Sequence, residues 1–127
     1  MNVRAGGYAE FRGAVYACAS VGKPMIRLFA PGDRPAPDGF SAHADGRWTR
    51  LVPRADVERL FFVKTEATWE GQPVDVLSVD GDFAEVSSRA YPPPRRPEVQ
   101  RDRASWDARV SVAELHDVLE TVTEVPT

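Results

Sequence analysis

Apolar and polar positions alternate in short runs along this chain, and Gly, Pro and Asp break the runs. A period of two marks strands, because successive strand side chains point to opposite faces. Tyr8 to Val21 reads as two strands or one bent strand, with Gly13 at the turn or kink. Gly22-Lys23-Pro24 supplies a turn, and Met25 to Ala30 is the next strand. Ala30 to Gly39 holds three prolines and three charges, which excludes a helix interior or a central strand. It opens a long loop running to about Gly46, and Arg47 to Pro53 follows as a third strand.

The pattern then changes period. Val57, Leu60 and Phe61 fall at i, i+3 and i+4, which predicts a short helix with Pro53 at its start. Phe61 to Gly71 returns to strand alternation. The second half repeats this order: strand Gln72 to Val79, an Asp80-Gly81 hairpin turn, and return strand Phe83 to Ser88. A second proline-rich loop, Arg89 to Ala104, leads into strand Ser105 to Val110. Ser111 and Glu114 have capping-box spacing, which predicts a helix over 111–120 burying Leu115, Val118 and Leu119. Thr121 to Val125 closes as a strand.

The two halves align without a gap at an offset of 58 residues, so that Trp48 to Glu66 matches Trp106 to Glu124. Pairing 8–66 with 66–124 gives ten identities, against roughly five expected by chance at ordinary composition. Their placement carries more than their number. The turn glycine (Gly13/Gly71), a loop proline (Pro35/Pro93), the strand tryptophan (Trp48/Trp106) and the apolar triplet all match at one offset. The expected fold is therefore mostly β with two short helices, α+β in class. It is a tandem repeat of two β-β-β-α-β units, 8–66 and 66–124, within a single compact domain spanning 1–127. The units would form two small barrels or a shared sheet about a pseudo-two-fold axis, since each is too small to be comfortable alone.

Composition narrows the functional classes. One cysteine, Cys18, excludes an internal disulfide and a Cys-based zinc site within one chain. The N-terminal residues lack the apolar middle region of a signal peptide, and no run is long enough to span a bilayer. A soluble cytoplasmic protein is the expectation. Fourteen arginines stand against two lysines, a bias that a high-GC genome explains without nucleic acid. Net charge is uneven: residues 1–66 hold 10 basic and 7 acidic groups (+3), residues 67–127 hold 6 and 12 (−6). An acidic half is a candidate surface for a basic partner.

No catalytic or metal-binding motif is present, and no enzyme activity, metal or cofactor is expected. Cys18 lies in an apolar strand, where a free thiol behaves as a small hydrophobe. His43 has no companion, and His116 sits at the edge of the second predicted helix. Asp80-Gly81-Asp82 lacks the rest of a calcium loop. Glu66 and Glu124 hold equivalent positions and read as strand-end residues rather than an acid/base pair. Arg95, Arg96, Arg101 and Arg103, with Tyr91 for stacking, form the one feature suited to nucleic acid, but Glu98 and Asp102 share their loop. The predicted second helix is the stronger signal. Glu114, Asp117, Glu120 and Glu124, with Asp107 on the preceding strand, would make its exposed side negative. The candidate partner-binding residues are these five acids, Tyr91, Arg95 and Arg96 of the loop, and Trp48 and Trp106 of the strands.

The order of elements, with Trp48…Pro53…Val63 and Trp106…Ser111…Val122, resembles SH3-like barrels, although the ALYDY-type peptide-binding signature of SH3 domains is absent. The overall character, together with the recurring W…(V/L)P…(D/E)(V/L)…(L/V)…(V/T)xTEA pattern over Trp48–Ala67, resembles immunity proteins of bacterial polymorphic-toxin systems. That resemblance implies an inhibitor that occludes the active site of a cognate toxin, with a basic secreted toxin domain as its partner and no membrane. The alternative is an SH3-like module binding nucleic acid or a peptide through loop arginines and strand tryptophans.

Overall fold

The computed structural model describes residues 3–127. Among them are eleven strands and two three-residue 3₁₀ turns, and every strand pairing with a defined register is antiparallel. The protein is mostly β. The strands are β1 (Gly6–Phe11), β2 (Ala14–Ala19), β3 (Met25–Ala30), β4 (Ser41–Ala42), β5 (Trp48–Pro53) and β6 (Arg59–Trp69). They continue with β7 (Gln72–Asp80), β8 (Phe83–Ser88), β9 (Gln100–Arg101), β10 (Trp106–Ser111) and β11 (His116–Val125).

The two predicted helices do not form. In their place stand 3₁₀ turns at Arg54–Asp56 and Val112–Glu114. Each is closed by an i+3 bond, Val57 N–H to Arg54 C=O and Leu115 N–H to Val112 C=O. Ser111 does cap its turn, accepting from Ala113 N–H at 3.3 Å, but the turn goes no further. The chain beyond is rich in β-branched residues (Val118, Thr121, Val122, Thr123, Val125), which suit a pleated strand and lose χ1 freedom in a helix. His116–Val125 is accordingly one strand. Of the expected second helix core, Leu115 is buried and Val118 half-buried, while Leu119 is 62% exposed. Val57, Leu60 and Phe61 are all buried, but around a turn and a strand start.

The chain divides into two compact units. The first comprises Gly7–Phe62 with Thr123–Thr127, and the second Val63–Val122 with residues 3–6 of the N-terminal segment. Both divisions fall inside a strand, β6 and β11, and these two strands pair with each other. In the first unit the strand order is β4-β5-β3-β2-β1-β6, and in the second it is β6-β7-β8-β10-β9.

Each unit has its own core. In the first, Ala9, Phe11, Ile26, Leu28, Val52, Val57 and Leu60 pack together. In the second, Trp69 and Trp106 meet with ring centroids 5.9 Å apart, among Val74, Val76, Val86, Val110 and Leu115. Comparable turns join the first strands of each unit. Arg12-Gly13 and Glu70-Gly71 both take positive φ at both residues, 51° and 80° in the one and 51° and 73° in the other. Consecutive positive-φ residues match a two-residue turn to the twist of the flanking strands.

The long loops are held by tryptophan. Trp48 Nε1 donates to the carbonyl of Arg34, and Trp106 Nε1 to that of Ala90, both at 2.7 Å. Trp106 is buried, whereas Trp48 is half-buried.

Candidate binding face

Strand registers place one row of side chains across the open face of each unit, opposite its core. In the second unit the row is Glu66, Asp75, Ser87 and Asp107, each directly opposite the next on β6, β7, β8 and β10. In the first unit the row is Tyr8, Ala17, Phe29 and Thr49, on β1, β2, β3 and β5. Every member of the second row lies 58 residues after its counterpart in the first (66−8, 75−17, 87−29, 107−49).

The first row is filled. Tyr8 stacks on Phe61 with centroids 5.7 Å apart. The Arg47 guanidinium lies over the Phe29 ring at 3.9 Å, and His43 meets the same ring edge-on at 5.3 Å. Asp45 holds both covering residues, 2.6 Å from Arg47 and 2.9 Å from His43. Hydrogen bonds from Arg47 keep the Asp45 carboxyl well below the usual carboxylate range. Thr49 Oγ1 donates to the Leu28 carbonyl at 2.9 Å and Arg27 donates to Thr49 Oγ1 at 3.2 Å, so this row's hydrogen-bonding capacity is used internally.

The second row is open. Position 87 carries Ser in place of Phe29, and position 105 carries Ser in place of Arg47. Without that ring and the guanidinium over it, a cleft of about 620 Å³ remains, lined by Glu66, Asp75, Leu77, Ser87, Arg89 and Ser105 among others. Leu77, two residues after Asp75 on the same face of β7, also lines it and is 57% exposed. Glu66 lies 3.9 Å from Lys64. Asp75, Arg89 and Asp107 make no ion pair or side-chain hydrogen bond among the described residues. Two carboxylates directly opposite on neighbouring strands, Glu66 and Asp75, repel each other and cost the unit stability.

The other sequence-selected acids are arranged differently. The negative helical surface does not exist, because its residues are not on a helix. Glu114 accepts from Arg96 at 2.9 Å, and Arg96 also binds Glu70 at 2.5 Å and Glu98 at 2.7 Å while lying over the Trp69 ring. Bonds to Glu114 and Glu98 push the Arg96 guanidinium above its ordinary value, and Glu98 is lowered by its own backbone N–H and by Arg96. This cluster fastens the second long loop and takes Arg96 away from any ligand. Glu120 pairs with Arg4 at 3.2 Å, and Glu124 with Arg59 at 2.7 Å, which lowers Glu124. Asp117 is exposed at the start of β11, with a φ of 51°.

Tyr91 donates its hydroxyl toward the carbonyls of Asp102 and Ser105, within its own loop. Arg95 is exposed on that loop. Trp106 is 1% exposed and serves the core, so it offers no contact surface. Of the ten selected residues only Asp107 falls in the open row. Glu66 was read as a strand-end residue, and Asp75, Ser87 and Ser105 were missed. Their signal was present in the offset of 58, as the replacement of Tyr8, Ala17, Phe29 and Arg47 by Glu, Asp, Ser and Ser. Cys18 is half-buried, and burial pushes its thiol up to about 11, so it is no nucleophile at neutral pH. Among the described residues no group of His, Cys, Asp and Glu is arranged to hold a metal ion. Among the described residues no helix is long and apolar enough to cross a membrane.

A family model matches residues 3–125, a span that takes in both units. The chain belongs to the family described as uncharacterised conserved protein UCP033725. No curated protein and no solved structure matches it. Function in this UCP033725 chain is therefore read from the contrast between its filled face and its open one.

Proposed function

We propose that this protein is a binding protein for a basic protein partner, engaged on the open face of the second unit. The observation that carries the reading is the in-register row Glu66–Asp75–Ser87–Asp107 beside a cleft, in strand positions where the first unit is filled by its own Tyr8, Phe29 and Arg47. Exposed carboxylates on an accessible face attract and orient a cationic partner. The reading also makes the chain a tandem duplication of one β unit. Strand bounds 58 residues apart in β5 and β10 (106−48, 111−53) and in the two 3₁₀ turns (112−54, 114−56) support it. So does a turn of that kind before the closing strand, the order of an SH3-like barrel. In this account one copy kept a filled, self-satisfied face and the other opened its face for a ligand. Inhibition of a basic toxin in the manner of an immunity protein is the form of binding that fits best, because a small acidic face can cover a cationic active site without chemistry of its own.

Co-purification of the tagged protein from its own cells tests this. The expected result is one basic polypeptide retained above an untagged control and released as salt rises, since exposed charge pairs are screened. Retention of no polypeptide, or of one that salt does not release, would overturn it.

A further inference from the structure

We infer that the cleft of the second unit receives an arginine side chain from an extended segment of the partner. This rests on the binding reading above and specifies what enters the site. Three features of the cleft choose the occupant. Glu66 and Asp75 stand directly opposite each other on β6 and β7, so their side chains leave one face of the sheet from neighbouring positions. A guanidinium carries donors along two edges in a rigid plane and can bridge two such groups, whereas an ammonium is a point charge. Bridging also removes the repulsion that the pair imposes on the empty unit. Leu77, 57% exposed beside Asp75 at the register shift, gives the aliphatic stem of the side chain an apolar wall. Ser87 and Ser105 leave room where Phe29 and Arg47 fill the first unit, and there an arginine of the chain itself already lies over the row at 3.9 Å. The partner's arginine thus takes in the second unit a place like that of Arg47 in the first. Arg89, at the same cleft and without an ion-pair partner among the described residues, suits an acidic residue or a backbone carbonyl of the entering segment.

The probe is the capped peptide Ac-Gly-Ala-Arg-Ala-Gly-NH2, titrated into the full chain and followed through backbone amide resonances. Saturating shifts at Glu66, Asp75, Leu77 and Ser87 are expected. The same peptide with citrulline, which keeps the shape and lacks the charge, should give none at equal concentration, and the lysine peptide should bind several-fold more weakly. Glu66→Gln and Asp75→Asn should each weaken the arginine peptide by about tenfold, the effect of one charge-assisted bond. An equal response to citrulline or lysine, shifts centred elsewhere, or no shift at millimolar peptide would overturn the inference. So would shifts of these amides by calcium or magnesium alone with no response to arginine, which would make the row a cation site. The two readings fail separately. A partner captured from cells whose binding ignores Glu66→Gln and Asp75→Asn leaves the binding role standing and removes the arginine pocket. Capture of no partner removes the role, whatever the peptide does.

Discussion

The two units of this chain present the same strand row in opposite states. In the first, Tyr8, Ala17, Phe29 and Thr49 are half-buried or buried, and Arg47, His43 and Phe61 complete them. In the second, Glu66, Asp75 and Asp107 are exposed, and Glu66 and Asp75 border an open cleft. A sheet face covered by its own side chains contributes to folding. A face with like charges directly opposite each other opposes folding slightly, and persists where something other than stability holds it there. The contrast gives the proposed binding face a narrower basis than net charge does. Charge by halves includes Glu114, Glu120 and Glu124, each of which the chain has already matched with an arginine.

The largest effect that can break the comparison lies in the two tryptophans. Trp106 is 1% exposed and meets Trp69, while Trp48 is half-buried. Trp106→Ala should cost about 3–5 kcal/mol, the usual loss for a large buried aromatic. Trp48→Ala should cost less than half of that in the same urea-unfolding measurement. Equal losses would mean that the two units do not differ in how they use this position.

A smaller effect has the opposite sign. Asp75→Asn removes the cross-strand repulsion with Glu66 and should stabilise the protein by about 0.2–1 kcal/mol at neutral pH. Ala17→Asp, at the corresponding place in the first unit, should destabilise instead, because it sets a charge against Tyr8 and Phe29 on a half-buried row. Urea titration of both variants at neutral pH checks the pair. Destabilisation by Asp75→Asn would show that this carboxylate supports the fold and would weaken its reading as a binding group.

Much of the fold was legible in the chain because strands announce themselves by alternation and their ends by turn residues. Met25–Ala30 and Phe83–Ser88 stand where the pattern places them, while the hairpin turns at Gly81-Asp82 and β10 begins at Trp106, each one residue later than the pattern has it. The helices were misread for a physical reason. Val57, Leu60 and Phe61 have helical spacing, but a 3₁₀ turn followed by a strand start buries the same three residues. Spacing over five residues does not separate the two, and the β-branched run after Leu115 was the better guide. The acids expected on one helix face lie instead on a turn and a strand, because that helix does not form. The open row was harder to see because its members lie on four strands, at positions 66, 75, 87 and 107. No local window contains them, and only register brings them side by side. The halves do show it when compared position by position: aromatic and arginine residues on one side become acids and serines on the other.

The account turns on whether the open face, and not the filled one, meets the partner. The most direct measurement is the affinity of the co-purified partner for three forms of the full chain. These are the wild type, the Asp75→Lys/Asp107→Lys double variant and Arg47→Ser, each at low and moderate salt. Reversal of the two acids should weaken binding by about a hundredfold or more and flatten its salt dependence, since several charge pairs become like-charge contacts. Arg47→Ser should leave affinity within about twofold, as expected of a residue outside the interface. Unchanged binding in the double variant, or a loss on Arg47→Ser as large as the loss on acid reversal, would contradict the assignment of function to the open face.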